Sequence, residues 1–132
     1  MIPPPIALAL TVCERVIVEE RSRNLSLVSC FSKLIVESFP SSPRHFAVVA
    51  VFRGGRGVGK LDLVVAEVET DNEIDSIHST IEFPDRLAEV RTVFNLERCS
   101  FPAPGRYLIT VLVDGEWVGH REIAVSKREI PR

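Results

Sequence analysis

Apolar and polar positions alternate along most of this chain, and Pro, Gly and Asp interrupt the alternation at intervals of about ten residues. A period of two residues places successive side chains on opposite faces of an extended strand. The clearest example covers residues 90–97. There Val90, Thr92, Phe94 and Leu96 are expected on the inner face, and Arg91, Asn95 and Glu97 on the outer face. Many short strands at this spacing are typical of a β-sandwich or a barrel, and we predict an antiparallel sandwich of about seven or eight strands.

The first two predicted strands are irregular. The strand over 7–18 is interrupted or bulged near Cys13 and Glu14. Over 25–36 the apolar phase switches faces, and a β-bulge would produce such a switch. A short helix over 28–35 fits the same residues nearly as well, so both interpretations stay open.

Two further segments indicate where strands lie in the sheets. Residues 45–52 are apolar on both faces, which is typical of a strand in the middle of a packed sheet. Alternating residues over 107–113 lead into Asp114-Gly115, a dipeptide that favours a two-residue type I′ turn because both turn residues take positive φ. The sequence therefore predicts a hairpin that returns through 117–125.

Length and charge narrow the possible classes of protein. The 132 residues predict one domain over 1–132, with a lead-in over 1–6 and a frayed tail over 127–132. Sixteen Lys and Arg residues face eighteen Asp and Glu residues, so the net charge of −2 gives no basic field that would steer the protein towards phosphate. We therefore expect no nucleic-acid partner.

The cysteines and the N-terminal segment bear on the compartment. Cys13, Cys30 and Cys99 are odd in number and form no CxxC pair, so we expect three small core residues rather than a disulfide framework or a zinc site. The apolar run over 6–13 follows no Lys or Arg and is too short to span a bilayer. We expect it to be a strand, and the protein to be cytoplasmic.

Three segments resemble a pattern in small bacterial all-β proteins of unknown function. In chain order they cover 13–16, 25–40 and 101–115, and the last contains Pro104-Gly105-x-Tyr107 ahead of Asp114-Gly115. That ending is similar to the final hairpin of many immunoglobulin-like and related sandwiches. The resemblance covers nearly the whole chain and implies a stand-alone all-β domain, immunoglobulin-like or C2-like. It transfers no catalytic or binding residue.

The Gly-rich segment 54–60 has the spacing of a phosphate-binding loop. That loop needs a Ser or Thr next to hold magnesium, and a helix whose N-terminus faces the anion. Here Leu61 follows, and the residues after it alternate like a strand. We interpret the segment as a hairpin loop in which Arg53, Arg56 and Lys60 offer a weak anion-contacting surface.

Six acidic or amide side chains fall within residues 67–75, at a predicted turn between strands. Calcium takes six to eight oxygen ligands, often from such loops. Glu69, Asp71 and Asp75 are the ligands in this alternative. The Gly of the helix-loop-helix calcium pattern is absent and Ile74 interrupts the run, so we favour a solvated polar turn.

The histidines give no sign of catalysis. His45, His78 and His120 are isolated in the sequence, and no local motif arranges Ser, His and Asp around a nucleophile. Triads can assemble from distant positions, and a deep pocket lined by His78 or His120 with a carboxylate would favour an enzyme. We predict no enzymatic activity, no catalytic residue, no resident metal and no cofactor.

Trp117 is the residue whose orientation matters most for function. Its alternation phase matches Ile123 and Val125, which favours a core position. If it faces outwards, it is the obvious anchor of a contact surface, to which we also assign Arg53 and Arg56.

The leading hypothesis from the sequence is a non-enzymatic protein-interaction or structural module. We expect an unknown protein partner, a possible homodimer through edge strands, no nucleic acid and no membrane. The alternative is a calcium-binding or small-ligand-binding domain that uses the acidic turn 67–75 or the Gly-rich loop 53–60.

Overall fold

The computed structural model describes residues 4–129, and within that range it contains nine strands and no helix. The all-β prediction is confirmed, whereas the predicted number of strands is too low. No helix of the described residues is long and apolar enough to cross a membrane. In chain order the strands are β1 (Ile6–Val18), β2 (Leu25–Cys30), β3 (Lys33–Val36), β4 (Arg44–Arg53), β5 (Gly57–Glu67), β6 (Glu73–Phe83), β7 (Val90–Cys99), β8 (Gly105–Val113) and β9 (Glu116–Lys127).

The strands form two sheets. One has four strands in the order β2-β1-β4-β7, and the other has five in the order β3-β9-β8-β5-β6. Neighbours run antiparallel except β3, which pairs parallel with β9, so the prediction of a purely antiparallel arrangement is wrong at this edge. The lead-in predicted over 1–6 and the tail predicted over 127–132 lie partly outside the described residues, and within them Ile6 opens β1 and Lys127 closes β9.

The segment 25–36 accounts for the additional strand. β2 ends at Cys30 and pairs with β1 in the four-stranded sheet, whereas β3 begins at Lys33 and pairs with β9 in the other sheet. The chain passes between the sheets through Phe31 and Ser32. This crossing, and neither a bulge nor a helix, shifts the apolar phase.

β1 is continuous, so the interruption predicted near Cys13 and Glu14 is wrong. Its register against β4 shifts earlier, between Ala7 and Ala9. Cys13 is instead the residue at which β1 exchanges neighbours, because β1 pairs with β4 up to this position and with β2 from this position onwards. A strand that pairs with two neighbours in succession has a long apolar sequence, and its alternation of apolar and polar residues changes where the neighbours change.

The two sheets enclose one apolar core. Its aromatic centre includes Phe101, whose ring lies 4.9 Å from that of Tyr107 in a T-shaped contact and 6.2 Å from that of Phe46 in a stacked one. The buried Tyr107 hydroxyl donates to the Ala103 carbonyl and accepts from the Ala103 N–H at 3.3 Å. The polar end of this buried ring is therefore satisfied, as burial requires.

β4 lies between β1 and β7 and is buried on both faces, which confirms the prediction for residues 45–52. Ala47 and Val49 point away from the core, yet they are only 0% and 5% exposed. The Arg91 guanidinium of β7 donates at 3.0 Å to the carbonyl of Arg23, in the turn between β1 and β2. This contact links opposite sides of the four-stranded sheet across its outer face.

The C-terminal hairpin forms as predicted. Asp114 and Gly115 connect β8 to β9 with φ values of 51° and 79°. Asp114 also fixes the neighbouring strand, because its carboxylate accepts from the Lys60 N–H at 2.9 Å. The turn therefore holds both its own hairpin and the start of β5.

A β-bulge in β9 decides the orientation of Trp117. Leu112 pairs with Trp117, but the preceding residue of β8 pairs with Gly119, so Val118 is an extra residue in β9. The bulge reverses the alternation phase, and Trp117 faces away from the core that contains Ile123. The predicted core position of Trp117 is wrong for this reason.

Candidate functional site

The five-stranded sheet has one face on the core and one face towards solvent. On the solvent face, directly paired residues of β6, β5, β8 and β9 form two adjacent rows that cross the sheet. Side chains of directly opposed residues lie on the same face and within contact distance of each other. We call these eight residues the outer patch: His78, Asp62, Leu112 and Trp117 in the first row, and Ser76, Val64, Thr110 and His120 in the second.

Trp117 anchors one end of the outer patch. The residue is 58% exposed, although tryptophan is usually covered. Its indole Nε1–H donates to the Gly119 carbonyl at 3.0 Å, and its ring centroid lies 5.0 Å from that of His120. Because Val118 is bulged, these two rings share a face although they are three residues apart. The indole is therefore held in one orientation while its surface meets water.

His78 organises the other end of the outer patch. Its Nδ1 lies 2.6 Å from Asp62 Oδ1, and its Nε2 lies 3.4 Å from Ser76 Oγ. Asp62 is the cross-strand partner of His78, and Ser76 stands two residues earlier on the same strand. The order carboxylate, imidazole, hydroxyl is that of a hydrolytic triad. The sequence did not reveal this cluster, because only the register between β5 and β6 brings Asp62 to His78.

The setting of this cluster determines its chemistry. The His78 side chain is 73% exposed, and the depression beside it, lined also by Lys60 and Thr80, opens widely to solvent. Nucleophilic catalysis depends on a site that excludes water and aims donors at the developing charge. An exposed polar pair of this kind also contributes little to stability. The arrangement is therefore better suited to presenting oriented polar groups at a contact surface than to catalysing a reaction.

The acidic turn does not gather its carboxylates. Glu69 lies 3.5 Å from the Arg106 guanidinium, whereas Asp75 accepts from the Ser76 N–H at 2.8 Å. Asp71 occupies the turn itself, with φ of 60°. Within residues 4–129, no three His, Cys, Asp or Glu side chains come close enough together to hold a metal ion. The structure therefore does not bring together the carboxylates that the calcium alternative requires.

The Gly-rich segment leads directly into a strand, as predicted, because β5 begins at Gly57. The predicted hairpin loop is wrong, since β4 and β5 belong to different sheets and the segment connects the two. Arg53 ends β4 of the four-stranded sheet and forms an exposed ion pair with Glu89 at 3.6 Å. Arg56 lies exposed in the loop between the sheets. Trp117 lies on the outer face of the other sheet, so the three residues assigned to one partner surface do not share a face.

The cysteines occupy different environments. Cys13 and Cys99 are buried and Cys30 is exposed, so the prediction of three core cysteines is wrong for Cys30. Burial, followed by the negative charge of Asp75, raises the pKa of Cys99 to about 12. Burial and then the nearby Cys30 raise the pKa of Cys13 as well. Burial therefore disfavours the thiolate form of both cysteines in the isolated chain.

Among solved structures, this chain is similar to the alkylpurine DNA glycosylase AlkC of Pseudomonas fluorescens bound to DNA containing an abasic site analogue, with 11% sequence identity and a TM-score of 0.46. The similarity covers 89% of this chain and 30% of that one, so the present chain spans under a third of that protein. No curated protein matches the sequence.

The prediction of no nucleic-acid partner is wrong in excluding such a partner outright. The protein in that similar structure is bound to DNA. The argument from net charge to partner class has a general physical weakness. Net charge is a sum over the whole chain, whereas phosphate contacts depend on the local placement of Lys and Arg.

The family comparison covers almost the entire sequence and agrees with the resemblance noted from the motifs. One family model matches residues 8–126, and it describes proteins to which no function is assigned. The chain belongs to this family, the family of unknown function DUF6941.

Proposed function

We propose that this chain is a non-enzymatic protein-interaction module whose contact surface is the outer patch. The observation that carries the proposal is Trp117, an exposed indole whose orientation is fixed by Gly119 and His120. Large rigid aromatic side chains lose little conformational entropy on binding and are enriched at binding hot spots. A fixed indole in water is thus an anchor already prepared for a partner.

The surroundings of Trp117 support the same proposal. Leu112, Val64 and Thr110 are half-buried and lie between Trp117 and the polar end of the outer patch. An apolar centre with a polar rim is the usual composition of a protein contact surface. The Asp62–His78 pair at the rim supplies directed hydrogen bonds, which contribute specificity more than affinity. The expected partner presents an apolar side chain to Trp117 and a polar group to His78.

One observation favours a second candidate, ester or peptide hydrolysis, because the contacts of Ser76, His78 and Asp62 follow the triad order. The solvent exposure of His78 weighs against it. The test is hydrolysis of a p-nitrophenyl ester by the wild-type chain and by Ser76→Ala. A rate well above that of free imidazole at equal concentration, and lost in the variant, would replace the binding proposal.

The binding proposal is tested with Trp117 itself, which is the single tryptophan of the sequence. Its fluorescence should be readily quenched by acrylamide in the isolated protein. A protein captured from the native host and then purified should protect the indole from quenching. Trp117→Ala should abolish capture, while Leu87→Ala, which removes an 81% exposed side chain from the β6–β7 connection, should leave capture unchanged.

Two outcomes of that experiment contradict the proposal. A captured protein that binds Trp117→Ala as tightly as wild type would place the contact elsewhere. Protection of the indole by a single- or double-stranded oligonucleotide, tested in parallel, would replace the protein partner by a nucleic acid.

We further infer an immunoglobulin-like or C2-like architecture and a cytoplasmic location. The first is supported by Tyr107, near the start of the penultimate strand, whose hydroxyl bonds back to the backbone of Ala103 in the manner of the tyrosine corner of such folds. The second is supported by three cysteines that are all in the free thiol form.

A further inference from the structure

Cys13 and Cys30 are direct cross-strand partners in the pair formed by β1 and β2. The Phe31 N–H donates to the Val12 carbonyl at 3.0 Å, and this is the bond that flanks a non-hydrogen-bonded antiparallel pair. In such pairs the Cα atoms are about 4.5 Å apart and the two side chains share a face. The geometry of the strands therefore places both thiols side by side.

This spacing lies within the range of disulfide bonds, whose Cα atoms are about 4.4–6.8 Å apart. The third thiol is not a competitor, because Cys99 lies at the end of β7 and is buried in the core between the sheets. We propose that Cys13 and Cys30 are a modification site at which a reversible disulfide joins the edge strand β2 to β1.

The solvent exposure of the two cysteines indicates which thiol reacts first. Cys30 is open to solvent and Cys13 is buried, so Cys30 meets a dissolved oxidant first. Its thiolate attacks one sulfur of a low-molecular-weight disulfide, such as oxidised glutathione, and displaces one glutathione thiolate. Cys13 then loses its proton to solvent and attacks the Cys30 sulfur, which releases the second thiolate. Two electrons pass from the cysteine pair to the reagent, which becomes two thiols.

The position of the bond gives it a structural consequence. β2 is an edge strand of the four-stranded sheet, and directly after Cys30 the chain crosses to the other sheet. The bond would close a loop around the turn that contains Arg23, whose carbonyl accepts from Arg91. Oxidation therefore fixes the edge of the four-stranded sheet and the start of the crossing, and reduction releases both.

The test uses the full chain, reduced and then treated with oxidised glutathione under native conditions, with free thiols alkylated before digestion. Trypsin cuts after Arg15, Arg23 and Lys33, so Cys13 falls in peptide 1–15 and Cys30 in peptide 24–33. We expect these two peptides joined with the loss of two hydrogen atoms, and separated by dithiothreitol. The oxidised chain should melt about 5–10 °C higher than the reduced chain, as expected for a short closed loop.

Three variants make the outcome decisive. Cys30→Ser, at an exposed position that leaves the core untouched, should abolish the linked peptides and the rise in melting temperature. Cys13→Ala should do the same, and Cys99→Ala should retain both effects. Glutathione attached to Cys30 as the final product, a disulfide between two chains through Cys30, or a linkage to Cys99 would each overturn the proposal.

Discussion

The outer faces of the two sheets differ in exposure although their sequences are alike. On β4 of the four-stranded sheet, the outward residues Ala47 and Val49 are almost completely covered. On β8 of the five-stranded sheet, the outward residues Leu108, Thr110 and Leu112 are only half-buried. Both sets are largely apolar, so composition alone does not tell a covered face from an open one.

The difference arises from the shape of each sheet. In the four-stranded sheet, Arg91 of β7 reaches the carbonyl of Arg23 beyond β1, and the outward residues Ala47 and Val49 of the intervening strand β4 are buried. On the five-stranded sheet, Arg106 contacts Glu122 and Glu69 near one end of the strands, but among the hydrogen bonds of residues 4–129 none runs over the outer patch from edge to edge. The apolar outer side of the five-stranded sheet is thus accessible to another molecule. The outer patch is therefore a better candidate contact surface than the outer face of the four-stranded sheet.

The most severe test of this comparison is to place a charge on each outer face. Ala47→Asp buries a carboxylate without a partner and should lower the free energy of unfolding by more than about 3 kcal/mol. Thr110→Asp introduces the same group on the open face and should change it by less than about 1 kcal/mol. Urea denaturation measures both values. Equal losses would show that the two faces are equally covered.

Local alternation was enough to predict the all-β class, the central strand at 45–52 and the turn at Asp114-Gly115. These features depend on neighbouring residues, whose side-chain period and turn chemistry act within a few positions. The crossing at Phe31 and Ser32 was not predictable in this way, since a strand that changes sheets keeps its apolar character and alters only its phase.

The candidate site was less predictable than the fold because it depends on register. Asp62 meets His78 only through the pairing of β5 with β6, and no local motif records this. The orientation of Trp117 depends on one extra residue, Val118, since a single-residue shift exchanges the faces of a strand. The two thiols of Cys13 and Cys30 escaped notice for the same reason.

A second prediction compares one hydroxyl in the interior with one on the open face. Tyr107→Phe leaves the backbone N–H and carbonyl of Ala103 without their partner at the connection between the two sheets. It should lower the free energy of unfolding by about 1–2 kcal/mol. Thr110→Val removes a hydroxyl from the outer patch and should change it by less than about 0.5 kcal/mol. Similar losses in chemical denaturation would contradict the comparison.

A third prediction concerns pH and the buried thiol of β7. Burial raises the pKa of Cys99 in the folded chain from its ordinary value of 9.0 to about 12. The unfolded chain therefore loses this proton first, so the thiol's contribution to stability is complete below pH 9 and declines as the pH rises towards 12. Melting temperatures measured across this window should fall less steeply for Cys99→Ala. Parallel slopes for the two proteins would show that Cys99 does not titrate as its burial implies.

The smallest expected effect on stability belongs to the residue with the largest expected effect on binding. Trp117 and Ile123 lie on the same strand, but the bulge at Val118 turns the first to solvent and leaves the second in the core. Ile123→Ala should lower the free energy of unfolding by about 2–5 kcal/mol, because it removes fully buried methyl groups and leaves a cavity.

Trp117→Ala removes a side chain that is already 58% exposed, and it should lower the free energy of unfolding by less than about 1 kcal/mol. Denaturation of both variants in urea gives the two values directly. If Trp117→Ala were as destabilising as Ile123→Ala, the indole would be part of the fold's own packing, and the outer patch would lose its anchor. A neutral Trp117→Ala instead leaves binding as the physical reason for a fixed aromatic ring at this surface, since the fold gains little from it.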